Sequence, residues 1–185
     1  LGERLRLLVL VALVWLAAAA AMAAYPYLTT VVLVLGAWLL RSGSLAGSAA
    51  GHRRRLRGQR WYDAPQVLLA TPWHLLQSVP GTLALVVWSG FLALAGVLLG
   101  YAFALPTSQV LLLAGALFGA GLWRGPGGSR VRRPVNRVLH PLAARPVHWV
   151  VAGLLLAALA SGAGALAQAG VDWAPAGGAP LSGPR

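Results

Sequence analysis

The sequence predicts an all-α, polytopic membrane protein, and three observations carry the prediction. Of its 185 residues 58% are hydrophobic and only 10% are charged, whereas soluble domains carry about 25% charged residues. The apolar residues gather in long runs, and a bilayer core of about 30 Å is crossed by roughly 20 residues of helix. The basic residues fall almost entirely in the breaks between those runs. In hydrocarbon, helices satisfy their own backbone polar groups, so runs of this length read as spans. Such apolar content excludes a disordered chain, and the absence of cysteine excludes a disulfide scaffold.

About five spans are expected. The first covers 5–24, preceded by Arg4 and Arg6. A secretory signal peptide reads less well there, because the apolar run is longer than a signal needs. The second covers 26–45 and opens at Tyr25-Pro26-Tyr27, since proline fits the first helical turn. Its strongly apolar part is short, so Arg41 is expected to snorkel to the headgroups. Residues 61–80 suggest two short interfacial helices. Asp63 with Gln66 resembles a capping box, and Thr71-Pro72 is a second start signal. Trp61, Tyr62 and Trp73 are the expected interfacial anchors there, as are Trp123 and Trp149 further on. The third span, 81–104, ends at the turn signal Leu105-Pro106-Thr107-Ser108, the fourth covers 107–123 and the fifth 147–169. These make one membrane domain over 1–173, and 174–185, built of Ala, Gly, Pro and Ser with little else, reads as a flexible tail.

All fifteen positive side chains are arginine, against Glu3, Asp63 and Asp172. Arg4 and Arg6 precede the first span. Arg41, Arg53, Arg54, Arg55, Arg57 and Arg60 lie between the second and third, and Arg124, Arg130, Arg132, Arg133, Arg137 and Arg145 between the fourth and fifth. With five spans, only Arg185 falls on the other side. By the positive-inside rule the N-terminus is cytoplasmic and the C-terminus extracytoplasmic in a bacterial inner membrane. The chain opens on Leu1 rather than methionine, which suggests a piece of a longer protein with a further module ahead of it.

No catalytic, cofactor-binding or metal-ligating residue is expected. His52, His74, His140 and His148 have no carboxylate at ligand spacing. Gly125-Pro126-Gly127-Gly128-Ser129 lacks the Gly-Lys-Ser/Thr end of a phosphate loop. The interiors of the spans hold scattered Ser, Thr and Gln such as Ser89 and Ser161 and no ionisable side chain, which argues against a proton-coupled transporter or an intramembrane protease. Two features carry binding expectations. Arg53, Arg54, Arg55, Arg57, Arg60, Arg130, Arg132 and Arg133 are candidate contacts to anionic lipid, set against a plain topology signal. Gly96 with Gly100 and Gly115 with Gly119 form two Gly-x-x-x-Gly faces, expected to pack the third span against the fourth or to join two copies of the chain. Nucleic-acid binding is not expected, since both basic clusters sit at the bilayer without a reader fold.

Three stretches carry a resemblance: Arg60-Trp61-Tyr62-Asp63-Ala64-Pro65, Thr71-Pro72-Trp73-His74-Leu75, and Trp123-Arg124-Gly125-Pro126-Gly127-Gly128-Ser129 followed by Arg130, Arg132 and Arg133. Over residues 53–173 the chain resembles the C-terminal membrane region of a group of actinobacterial serine/threonine protein kinases. It departs from that pattern at Thr71, where serine is expected, and at Arg124, inserted between Trp123 and Gly125. The resemblance implies a cytoplasmic kinase module before Leu1, with ATP and Mg as that module's cofactors. No kinase catalytic residue transfers to this segment, which has no His-Arg-Asp or Asp-Phe-Gly. The expected role is a non-catalytic membrane anchor for that signalling module. The competing expectations are a membrane subunit of a transporter or secretion complex and a lipid-binding scaffold.

Overall fold

Runs of leucine, alanine and valine, broken only where proline or glycine interrupts them, set the helix boundaries of this computed structural model. It describes residues 2–57 and 63–176, with side chains for 2–45, 73 and 75–176. Six helices follow one another: α1 (Glu3–Ala24), α2 (Pro26–Arg57), α3 (Asp63–Ala102), α4 (Thr107–Arg124), α5 (Ser129–Ala144) and α6 (Pro146–Ala169). Among the described residues there is no strand, and the protein is an all-α polytopic membrane protein. Four helical stretches are long and apolar enough to cross a bilayer: Glu3–Ala24, Pro26–Leu45, Leu75–Ala102 and Pro146–Ala169. A fifth is counted when α4 and α5, bent by 97° at their junction, are taken together. On its own α4 has 18 residues, a rise of about 27 Å.

Each boundary has a local cause. Tyr25 takes φ −133° and ψ 73° because the proline after it disfavours helical backbone, which ends α1. Pro26 then opens α2, and the Thr30 hydroxyl donates to its carbonyl at 2.7 Å. The turn from α3 to α4 closes with Leu105 N donating to Gly100 O at 2.9 Å, while Ala104 adopts a left-handed φ of 52°. That is the position where helices ordinarily place glycine.

In two places the structure revises the reading of the sequence. The short interfacial helices expected over 61–80 are not separate. From Asp63 onward they join the third span in one helix of 40 residues, which runs through Pro65, Pro72 and Pro80. The helix that carries the second span also runs on to Arg57, past the stretch 26–45 that is apolar enough to cross, as expected. Residues 129–144, expected only as a basic connection between the fourth and fifth spans, form α5. Pro134 and Pro141 look like breakers, yet both are accommodated inside the helix.

Helices α1, α4, α3 and α2 form a closed ring in which each packs on the next and α2 returns to α1. The ring's core draws Met22 from α1, Ala37 from α2, Leu85 from α3, Phe118 and Leu122 from α4, and Val131 from α5. Helix α6 lies outside the ring against α1 and α5.

The glycine faces serve partly as expected. A Cβ on Gly96 would come within 2.8 Å of Leu117, and one on Gly100 within 2.8 Å of Val110, so this face of α3 is pressed against α4. Gly115 instead meets α1, where a Cβ would lie 3.0 Å from Ala19 Cα and from Met22 Cβ. Gly119 has nothing within 4 Å. The reason is helical phase. The stripe of α4 that faces α3 is Val110, Ala114, Leu117 and Gly121, and Gly115 is turned about 100° from Ala114.

Candidate lipid interface

The basic residues converge on one end of the bundle, and α5 shapes that end. Along α5, Val131, Leu139 and Ala143 are buried and Val135 and Leu142 pack partly against the helices above. These apolar positions recur at helical spacing and define an inner stripe. Leu139 and Ala143 meet Leu10 of α1, which is fully buried, together with Leu7, Val11, Trp149 and Ala152. The helix therefore lies across the first turns of α1 and α6. Arg130, Arg132, Arg133 and Arg137 are exposed.

Three polar contacts fix this end. Arg41 on α2 is only 6% exposed, and one guanidinium nitrogen donates to the carbonyl of Gly127 at 2.9 Å, with a longer reach of 3.5 Å to that of Pro126. The same guanidinium is pressed against Gly81 of α3. Arg41 thus joins α2, α3 and the α4–α5 junction, and it does not snorkel outward as its place near the end of a span suggested. The junction is shaped to receive it: Gly127 has φ +70°, and a Cβ there would stand 2.7 Å from the guanidinium. Trp149 Nε1 donates to Arg6 O at 3.2 Å, tying α6 to the start of α1. His140 Nε2 lies 3.4 Å from a Glu3 carboxylate oxygen on the exposed rim.

The other expected site residues are placed as follows. Arg53, Arg54, Arg55 and Arg57 belong to the last turns of α2, but their side chains lie outside the described residues, and Arg60, Trp61 and Tyr62 lie outside them altogether. Trp73 is exposed, Trp123 is half-buried and packs edge-on against Trp15 with ring centres 5.7 Å apart, and Trp149 is held by Arg6. Of the aromatic anchors, Trp123 and Trp149 therefore also act as struts between helices.

Chemically, the end of the bundle presents guanidinium groups that can hold phosphate or carboxylate oxygens. Ser89, fully buried in α3, donates to Leu85 O at 2.8 Å and faces Gly121. Among the described residues no three His, Cys, Asp or Glu side chains gather as a metal site. Sequence reasoning missed α5 and the inward turn of Arg41. The period of Val131, Val135, Leu139 and Leu142 was a usable signal for α5, masked by the two prolines. Nothing in the sequence marks the direction of Arg41.

No protein-family model matches the chain, and neither a curated protein nor a solved structure does.

Proposed function

We propose that this chain is a non-catalytic membrane domain that holds a module, joined on its N-terminal side, against the cytoplasmic face of a bacterial inner membrane. The observation that supports it most is that α1 begins at the end of the bundle where Arg41 and the arginines of α5 collect. By the positive-inside rule that end is cytoplasmic, so a module ahead of α1 is cytoplasmic too. Tethering raises the module's effective concentration near membrane targets without any new contact. The resemblance of Thr71–Leu75 and Trp123–Arg133 to actinobacterial kinases makes a serine/threonine protein kinase the attached module in this reading.

A fluorescent protein that matures only in the cytoplasm, fused ahead of Leu1, tests the anchor. The fusion is expected to stay in the membrane after alkaline carbonate washing and to fluoresce. A dark fusion that is still membrane-bound would overturn the orientation. The kinase form is tested separately by reading the coding sequence upstream of Leu1. It requires a glycine-rich loop, His-Arg-Asp and Asp-Phe-Gly there, and their absence would overturn it.

A second reading, a membrane subunit of a larger complex, draws support from α6. Only 11% of its most apolar stretch is buried, and Gly162 and Gly164 have nothing within 4 Å. Recovery of a stoichiometric membrane partner crosslinked through α6 would favour that reading.

A further inference from the structure

We propose that α5 is a binding site for anionic phospholipid headgroups, with Arg130, Arg133 and Arg137 holding the lipid phosphates. Three arginines at i, i+3 and i+7 fall within about 60° of one another around a helix. They form one stripe, opposite the buried stripe of Val131 and Leu139. All three are exposed. The guanidinium fork matches phosphate oxygens and is readily stripped of water, which suits a headgroup layer better than an ammonium does.

Depth and orientation select lipid over a soluble acidic partner. The 97° bend after α4 turns α5 away from the direction of the spans. Its inner stripe touches Leu7 and Leu10, in the first two turns of α1. The interfacial layer of a bilayer is about 5–8 Å thick on each side, and one helical turn rises about 5.4 Å. The arginines of α5 therefore stand at headgroup depth. Val138, on the flank of the arginine stripe, is 66% exposed, and Val147 at the start of α6 is 73% exposed. Exposed valine beside an arginine stripe is the arrangement of a helix lying at the boundary of headgroups and acyl chains.

Charge complementarity points to an anionic ligand. Of the three acids in the chain, Glu3 faces His140 on the rim. Asp172 accepts from Ala174 N at 2.9 Å, beyond the far end of α6, and Asp63 opens α3. Among the described residues no ion pair is formed by Arg130, Arg133 or Arg137. A positive-inside signal needs only charge near the spans. A headgroup site needs these charges on one face of a fixed helix, and that is what α5 supplies. The inference is independent of which module the domain anchors.

The test uses the full chain in nanodiscs of equal phosphatidylcholine and phosphatidylglycerol, released for native mass spectrometry that counts retained lipids of each kind. The wild-type chain is expected to retain phosphatidylglycerol over phosphatidylcholine. Combined Arg130→Gln, Arg133→Gln and Arg137→Gln is expected to lower that preference at least tenfold. The single change Arg133→Gln is expected to lower it about threefold, and serves if the triple variant fails to insert. Arg4→Gln with Arg145→Gln removes charge at the same end and is expected to leave most of the preference intact. Equal retention of both lipids by the wild type would overturn the proposal. So would an equal loss in the Arg4 and Arg145 variant, which would mean a diffuse field in place of a site on α5. Loss of preference on adding a soluble acidic peptide, with lipid retention by the arginine variants unchanged, would assign the stripe to a protein partner instead.

Discussion

Helices α1 and α6 look interchangeable as sequences but have different fates in the fold. Both are apolar on all sides, and they have 22 and 24 residues. Yet 39% of the most apolar stretch of α1 is buried against 11% of that of α6. Both also carry runs of small residues, Ala17–Ala24 in α1, interrupted by Met22, and Ala157–Ala167 in α6, interrupted by Leu159 and Leu166. Ala17, Ala19, Ala20, Ala23 and Ala24 are buried, whereas Gly162 and Gly164 face open space. Hydrophobicity does not separate the two, because lipid tails are as apolar as leucine and give no drive to bury it. What separates them is a complementary surface: Gly115 of α4 lets the backbones of α1 and α4 come together at Ala19. Helix α6 uses only part of its small-residue run, with Ala167 packed against Ala23 and Ala24 of α1, while no neighbour lies within 4 Å of Gly162 or Gly164. A small residue lowers the distance of approach only where another helix has a matching recess.

Substitutions that break the pairing of α1 should therefore have the largest effects. Gly115→Leu drives a side chain into Ala19 and Met22, and overpacking of this kind costs roughly 2–3 kcal/mol. Gly162→Leu on α6 should leave stability within about 0.5 kcal/mol. Reversible unfolding of both variants in the same bicelles measures the contrast, and equal losses would remove the distinction between the two helices. The next largest effect is expected at Arg41, whose guanidinium bond to Gly127 O is charge-assisted and buried. Arg41→Ala should cost roughly 2 kcal/mol, while Arg145→Ala, on an exposed side chain, should change little in the same assay. Lysine at position 41 should not rescue, since one ammonium cannot take the place of a planar guanidinium pressed between Gly81 and the α4–α5 junction.

A smaller effect sharpens how α6 is held. Trp149→Phe keeps an aromatic ring, though a smaller one than the indole, and removes the bond to Arg6 O, a loss of about 1 kcal/mol from the hydrogen bond. The weakening should appear first as faster hydrogen exchange at the start of α6, with α1 unchanged. The smallest expected change is a gain. Ala104 holds a left-handed φ of 52°, which disfavours any residue with a Cβ by about 1–2 kcal/mol. Ala104→Gly relieves that strain but frees the unfolded chain, so a net gain of up to about 1 kcal/mol is expected. A loss would show that the Cβ of Ala104 makes contacts worth more than the strain.

The fold class was legible in the sequence because apolar run length and arginine placement both act through the bilayer. Turns marked by Tyr25-Pro26 and Leu105-Pro106 were legible too, as proline constrains the backbone locally. Helix α5 was hidden because two prolines spoke against a helix while a four-residue apolar period spoke for it. The prolines between 63 and 80 likewise suggested breaks in what is one helix. Pairings between spans were not legible at all. Gly96 and Gly100 meet α4 and Gly115 meets α1, and nothing in one strand of sequence states which face finds which neighbour. The same holds for Arg41, whose inward turn depends on a glycine junction 86 residues away.

The most direct test of the account concerns α4 and its bend. The chain contains no cysteine, so single cysteines at Ser108, opening α4, and at Ser129, opening α5, can be probed in intact cells with a membrane-impermeant thiol reagent. Labelling at Ser108 with protection at Ser129 until the cells are opened is the predicted result, and it would place a full crossing between them with α5 on the cytoplasmic face. Labelling of both from outside, or of neither, would put the two ends of α4 on one side and contradict the account.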